Sequence, residues 1–237
     1  MAMDIHDLET SWRNEPGDPE TFSALAGRYI VDGDWRKLVD LFDEGAPRLA
    51  SDTTYGSRLI QSLRELEQNV AESRERGGIL VAIGDACIRY IEDREQAMKA
   101  YQEAFKAHPQ DATSLERART IYRDTSDWER VFLLYKLELK VTSDPEPRTA
   151  LLLRMAQVRG DWLQDFDGAV QIVDEALKLA PDDGFATDLR RIYQDHGSFA
   201  AKLEEVLSDA EEARSAGELA MAAELYLIAS QFESVRE

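Results

Sequence analysis

The side chains that could do chemistry are few and scattered. The 237 residues hold three histidines, His6, His108 and His196, and one cysteine, Cys87. None of the three histidines has a Cys, His or carboxylate at a recognised metal-motif spacing, such as a histidine pair at i, i+4. A nucleophilic thiolate needs an electropositive setting. Cys87 sits in the apolar run Gly84-Asp85-Ala86-Cys87-Ile88 with only Arg89 close by, the setting of a small buried hydrophobe. A single cysteine also excludes an intrachain disulfide. Gly77-Gly78 is the nearest approach to a glycine-rich loop and is no phosphate cradle. No Gly-x-Ser-x-Gly elbow occurs. Carboxylate pairs such as Glu92-Asp93 carry no weight in so acidic a chain, because a general acid needs a desolvated pocket. The expectation is a protein that is not an enzyme, with no metal and no cofactor.

Charge narrows the partners. Lys+Arg 28 against Asp+Glu 47 gives a formal net charge of -19. Phosphate backbones need a basic stripe and anionic membrane surfaces a polybasic segment, so no direct nucleic acid and no membrane are expected. The acidic start, Met1-Ala2-Met3-Asp4-Ile5-His6-Asp7, lacks the apolar core of a signal peptide. No apolar run reaches the roughly 18–20 residues of a membrane span. A soluble, cytoplasmic protein is expected. Its acid either forms a solvated face or steers a basic protein partner.

The elements that must position any site come from repetition. Glycine (13) and proline (7) are sparse, which suits helices. Leu115-x2-Ala118-x3-Tyr122-x5-Trp128 recurs as Phe22-x2-Leu25-x3-Tyr29-x5-Trp35, as Ala186-x2-Leu189-x3-Tyr193-x5-Phe199 and as Leu219-x2-Ala222-x3-Tyr226-x5-Phe232. The first three positions share one helical face. The breaks that follow hold Asp32-Gly33-Asp34, Asp124-Thr125-Ser126-Asp127 and Asp195-His196-Gly197-Ser198. Asp or Ser before the aromatic caps a second helix. The aromatics Trp35, Trp128 and Trp162 read as core, and Trp12 as part of an N-terminal cap.

A second repeat type lies between these copies. Ala97-x3-Tyr101-x2-Ala104-x4-Pro109 aligns with Ala169-x3-Val173-x2-Ala176-x4-Pro181 at an offset of 72 residues. Small residues let two helices approach closely, and the proline ends the helix. These stretches resemble the second helix of the tetratricopeptide (TPR) family. The step from Ala97 to Val131 is 34 residues, the TPR period. The resemblance implies an all-α fold, a right-handed α-solenoid of antiparallel helix pairs. Within one solenoid domain the reading is an N-terminal cap segment 1–18, a repeat 19–50, an inserted long helix 51–77 ending near Gly77-Gly78, a TPR-like repeat 78–110, a repeat 111–146, a TPR-like repeat 147–182, a repeat 183–212 and an incomplete repeat 213–237. The apolar helix around Leu219, Met221, Leu225 and Ile228 then has half a partner, as in a fragment of a longer array or in a self-associating end.

The resemblance also implies a function. First helices of TPR pairs line a concave groove that takes a peptide or a partner's helix. The polar positions left free on those helices are Asp85 and Arg89, Thr120 and Arg123, Arg154 and Gln157, Arg191 and Gln194. Arg123, Arg154 and Arg191 could form a local basic stripe that grips a carboxylate, or could pair with neighbouring acids. The Lys/Asn clamp of chaperone-binding TPR proteins is not matched. The expected function is a non-catalytic scaffold or adaptor that binds another protein or peptide. The alternatives are an acidic TPR chaperone for an aggregation-prone client and a scaffold similar to the half-a-TPR class of RNA-processing proteins.

Overall fold

The computed structural model describes residues 4–229 apart from 51, 53, 196, 198, 220, 224, 227 and 228. Phe232 and Val235, and with them the expected end of the last repeat, lie outside the described residues. So does His196. Every regular element among the described residues is helical. The chain forms two compact units, Met1–Ile121 and Tyr122–Glu237.

Aspartate starts most of the helices. Asp18, Asp34, Asp93, Asp127, Asp165 and Asp183 each accept a hydrogen bond from the backbone N–H three residues on. That satisfies an amide the first turn leaves open and places a negative charge at the positive end of the helix dipole. The repeated turn has one geometry in both units. After Tyr29, Gly33 turns left-handed (φ 75°) and the Asp34 N–H returns to the Tyr29 carbonyl at 2.9 Å. After Tyr122, Ser126 takes the same region (φ 55°) and the Asp127 N–H returns to the Tyr122 carbonyl at 2.8 Å. The Tyr-x5-Trp spacing is therefore the length of a helix stop and the cap that follows it.

The first unit holds α1 (Ile5–Asn14), α2 (Pro19–Asp32), α3 (Trp35–Leu49), α4 (Tyr55–Asn69), α5 (Ser73–Ile91), α6 (Arg94–Ala107) and most of α7 (Thr113–Asp124). The helices alternate between two rows. Along one row Trp12 of α1 donates to Glu44 of α3 at 2.8 Å, Trp35 of α3 donates to Glu75 of α5 at 2.5 Å, and Arg117 of α7 pairs with Asp85 of α5 at 3.2 Å. Along the other, Phe22 of α2 stacks on Tyr55 of α4 at 5.7 Å, and Arg64 of α4 pairs with Glu103 of α6 at 2.7 Å. The helix expected over 51–77 is α4. It ends at Asn69 and stands between α2 and α6 in the second row. Gly77 and Gly78 lie inside α5, where both are packed closely, Gly77 against His108 and Gly78 against the Trp35 ring, so the missing side chains fit the contact and the helix runs on. Trp12 is buried on α1, which opens the first row.

Close approach is set by missing side chains. Ala97, Ala100 and Ala104 of α6 are buried, and a Cβ on Gly84 of α5 would run into the Tyr101 ring of α6. The second unit holds α8 (Trp128–Val141), α9 (Pro145–Gln157), a π-helical turn (Val158–Trp162) that continues α9, α10 (Phe166–Leu179), α11 (Gly184–Gln194) and α12 (Phe199–Ser215). Its core joins Leu152, Leu153 and Ala156 to Ala169, Val173, Ala176, Ala186, Leu189 and Tyr193. Gly160 in the π turn has no Cβ to meet the Tyr193 ring. The fold is thus a set of TPR-like helix pairs packed on small residues.

Gly84→Val is expected to lower stability by about 1–3 kcal/mol, the usual cost of overpacking. Gly27→Ala, on α2 where an added Cβ meets nothing within 4 Å, is expected to raise it by up to about 1 kcal/mol through helix propensity. Urea unfolding followed by circular dichroism reads both, and equal effects would remove the close-approach account.

Candidate functional site

In the first unit the row of α3 and α5 opens into a pocket of about 220 Å³ floored by Leu59 of α4. Its walls are Trp35 and Val39 from α3 and Val81, Ala82 and Ala86 from α5. The indole of Trp35 crosses the backbone of α5, where a Cβ on Gly78 would stand 3.0 Å from the ring. It is held there by its hydrogen bond to Glu75 and by Arg36, whose guanidinium lies 4.2 Å from the ring centre. The Trp35 bond, and after it the Arg36 contact, hold the Glu75 carboxyl below its ordinary value. Small residues on α5 facing a large apolar residue on α3 leave the hollow.

The rim is polar and already paired. Arg89 forms an ion pair with Asp43, and Tyr90 donates its hydroxyl to the same carboxylate. Asp85 accepts from the Tyr101 hydroxyl at 2.7 Å and from Arg117. The Asp43 hydrogen bond raises the Arg89 guanidinium further above its usual value. Burial, and then the bond to Asp43, push the Tyr90 phenol up to about 12. Behind the wall, burial and then the negative charge of Asp93 push the Cys87 thiol up to about 11, so the thiolate that nucleophilic chemistry needs is scarce at neutral pH. Among the described residues no group of three or more His, Cys, Asp or Glu is placed to hold a metal ion. No helix among them is long and apolar enough to cross a membrane.

All eight residues named from the sequence stand on odd-numbered helices: Asp85 and Arg89 on α5, Thr120 and Arg123 on α7, Arg154 and Gln157 on α9, Arg191 and Gln194 on α11. The structure brings Asp85 and Arg89 together on the pocket rim. Thr120 turns its hydroxyl back to the Glu116 carbonyl. In the second unit Gln157 is buried at 6% exposure, on a helix that also buries Leu151, Leu152, Leu153, Met155 and Ala156 and so is covered on more than one face. Arg191 pairs with Asp188 one turn away at 3.0 Å, and Gln194 accepts from Arg190 at 3.5 Å. Arg154 is half-buried. Sequence reasoning missed Trp35, Val39 and Asp43 as site residues. Trp35 reads as core from its repeat position, and the signal beside it, Gly78 with Ala82 and Ala86 at helical spacing, is visible only once α5 is known to begin at Ser73. Trp162 is likewise not core. It is 38% exposed and stacks on Trp128 with ring centres 4.4 Å apart.

No family model matches the chain, and no curated protein matches its sequence. Two solved structures resemble it. A thermophilic TPR protein of Thermus thermophilus is 19% identical, with 81% of this chain and 88% of that one covered and a TM-score of 0.31. The APC/C hetero-tetramer Cut9-Hcn1 is 13% identical, with 95% of this chain and 52% of that one covered and a TM-score of 0.34. The helix pairing described above stands on the chain's own contacts.

Two measurements test this environment. The fold holds Tyr90 neutral, so that contribution is complete below the ordinary phenol value of about 10 and is lost as pH rises through about 12. Phenolate absorbance and loss of helicity are expected to rise together over that window, and phenolate forming well before unfolding would contradict the burial. At mildly alkaline pH a disulfide reagent is expected to react with Cys87 only after denaturant is added, and prompt reaction of the folded chain would contradict it.

Proposed function

We propose that the chain is a non-catalytic scaffold that binds a partner polypeptide, and that the α3–α5 pocket seats one apolar side chain of that partner. The observation that carries this reading is the combination of an apolar hollow with a rim whose charges are already neutralised by Asp43, Arg89, Asp85 and Arg117. A pocket of this kind gains affinity by burying apolar surface, while the paired polar groups fix orientation. A charged side chain entering it would have to break an existing pair, so the preferred anchor is neutral and apolar.

The other polar positions named on the odd-numbered helices extend the proposal. Thr120 of α7 is offered as a polar contact within the first unit, and Arg123, Arg154, Arg191 and Gln194 as polar contacts of the second unit by itself. The acidic balance of the chain supports a partner with basic residues beyond the anchor, steered by the long-range field.

Filling the pocket tests the reading. A photo-crosslinking residue in place of Val39 is expected to capture a partner polypeptide. Ala82→Leu is expected to reduce that capture about tenfold while thermal unfolding stays within a few degrees of wild type. Capture unchanged by Ala82→Leu would move the binding surface away from this pocket.

A further inference from the structure

We propose that the outward face of α8 is a second docking surface, and that its partner is an acidic amphipathic helix. The inference rests on exposure and on charge. Leu133 and Leu137, four residues apart on one side of α8, are 53% and 37% exposed. Their stacking on one face follows from the helical repeat. The opposite side of α8 is already in use: Val131, Phe132 and Tyr135 are buried with Leu151, Met155 and Val158. The two leucines are therefore surplus to the core of their unit.

The residues around them are basic in a chain of net charge -19. On α8 Arg130, Lys136 and Lys140 flank the leucines, against the carboxylates of Glu129 and, at the start of the helix, Asp127. Arg130 shares its charge with Asp127 at 3.2 Å. Lys136 lies 5.8 Å from the centre of the Phe132 ring, and its ammonium stays at the surface. A stripe of leucines at helical spacing between cations complements a helix with leucines on one face and carboxylates on both flanks. A basic partner, which the rest of the chain would attract, is repelled here. The surface is also separate from the α3–α5 pocket, which belongs to the first unit.

The test uses the whole chain and two synthetic helical peptides with leucines at i, i+3 and i+7, one flanked by glutamates and one by lysines. Fluorescence anisotropy is expected to show binding of the glutamate peptide and at least about tenfold weaker binding of the lysine peptide. Leu133→Ser/Leu137→Ser is expected to weaken the glutamate peptide about tenfold, equivalent to about 1.4 kcal/mol. Lys136→Glu/Lys140→Glu is expected to weaken it about tenfold at low salt, with the difference shrinking at high salt. All four positions are exposed, so helicity stays at the wild-type value. Ala82→Leu is expected to leave this binding unchanged, which separates it from the pocket. Binding that survives both α8 double variants would overturn the proposal. So would binding abolished by Ala82→Leu. If wild type ignores the peptide but adheres to vesicles of phosphatidylserine and phosphatidylcholine, the surface is a membrane contact. If Leu133→Ser/Leu137→Ser converts a sedimenting dimer to monomer, the occupant is a second copy. Either result replaces the partner proposed.

Discussion

A tyrosine ring laid against a glycine is the contact on which the pairing of the helices depends. It recurs in both units. Gly84 of α5 receives the Tyr101 ring of α6 and Gly160 of the π turn receives the Tyr193 ring of α11, while Gly56 of α4 meets the Cβ of Tyr90 and the Ile91 side chain of α5 rather than a ring. In each case a Cβ would hold the helices apart and forfeit contacts along their whole length. The ring brings a hydroxyl with it, which needs a partner once buried. Tyr101 finds Asp85, and Tyr90 reaches past α4 to Asp43 of α3. One side chain thereby ties three helices together. The carboxylates so engaged are those on the rim of the α3–α5 pocket. Packing in the core and polarity at the site are two ends of the same side chains.

The acidity of the chain divides along similar lines. Part of it is structural, since aspartate opens helix after helix and the backbone hydrogen bonds it accepts there lower the carboxyl, as at Asp93 and Asp165. Part is absorbed in pairs such as Lys37 with Glu9 and Arg190 with Asp174. Such exposed pairs contribute little to stability, but they fix which charges remain available to a partner. A net charge of -19 therefore describes the far field. It says little about any one face, and the basic face of α8 stands against it.

The helix pairs were legible because their determinants are local. The Tyr-x5-Trp spacing encodes a left-handed stop followed by an aspartate cap, and both ends of that code are residue types with known backbone preferences. The small residues of α6 and α10 mark contact lines in the same way. What the spacing does not encode is the row to which each helix belongs. Helix-stop-cap-helix reads the same when the first helix lies in either row: α2, in the second row, and α7, in the first, both open the motif. The sequence therefore presents α4 as extra, while the contacts set it between α2 and α6. The burial of Gln157 was hidden for a related reason. α9 buries several faces at once, through Leu151, Leu152, Leu153, Met155 and Ala156, so a polar position on it need not face water. Trp35 was hidden because an aromatic at a repeat position has the same signature whether it fills the core or walls a hollow.

The two proposed surfaces ask for different forces. The pocket has little net charge to offer, because its acids are held by Tyr90, Arg89, Tyr101 and Arg117. Affinity there must come from apolar area removed from water, which changes little with ionic strength. The α8 face keeps ammonium groups at the surface beside leucines that no core residue covers. Affinity there combines apolar burial with a screened attraction that weakens within a Debye length of roughly 8 Å at physiological salt. A scaffold with one anchor insensitive to salt and another sensitive to it can hold two partners whose occupancies respond differently to the same conditions. That difference arises from which carboxylates the tyrosines engage and which cations are left without them.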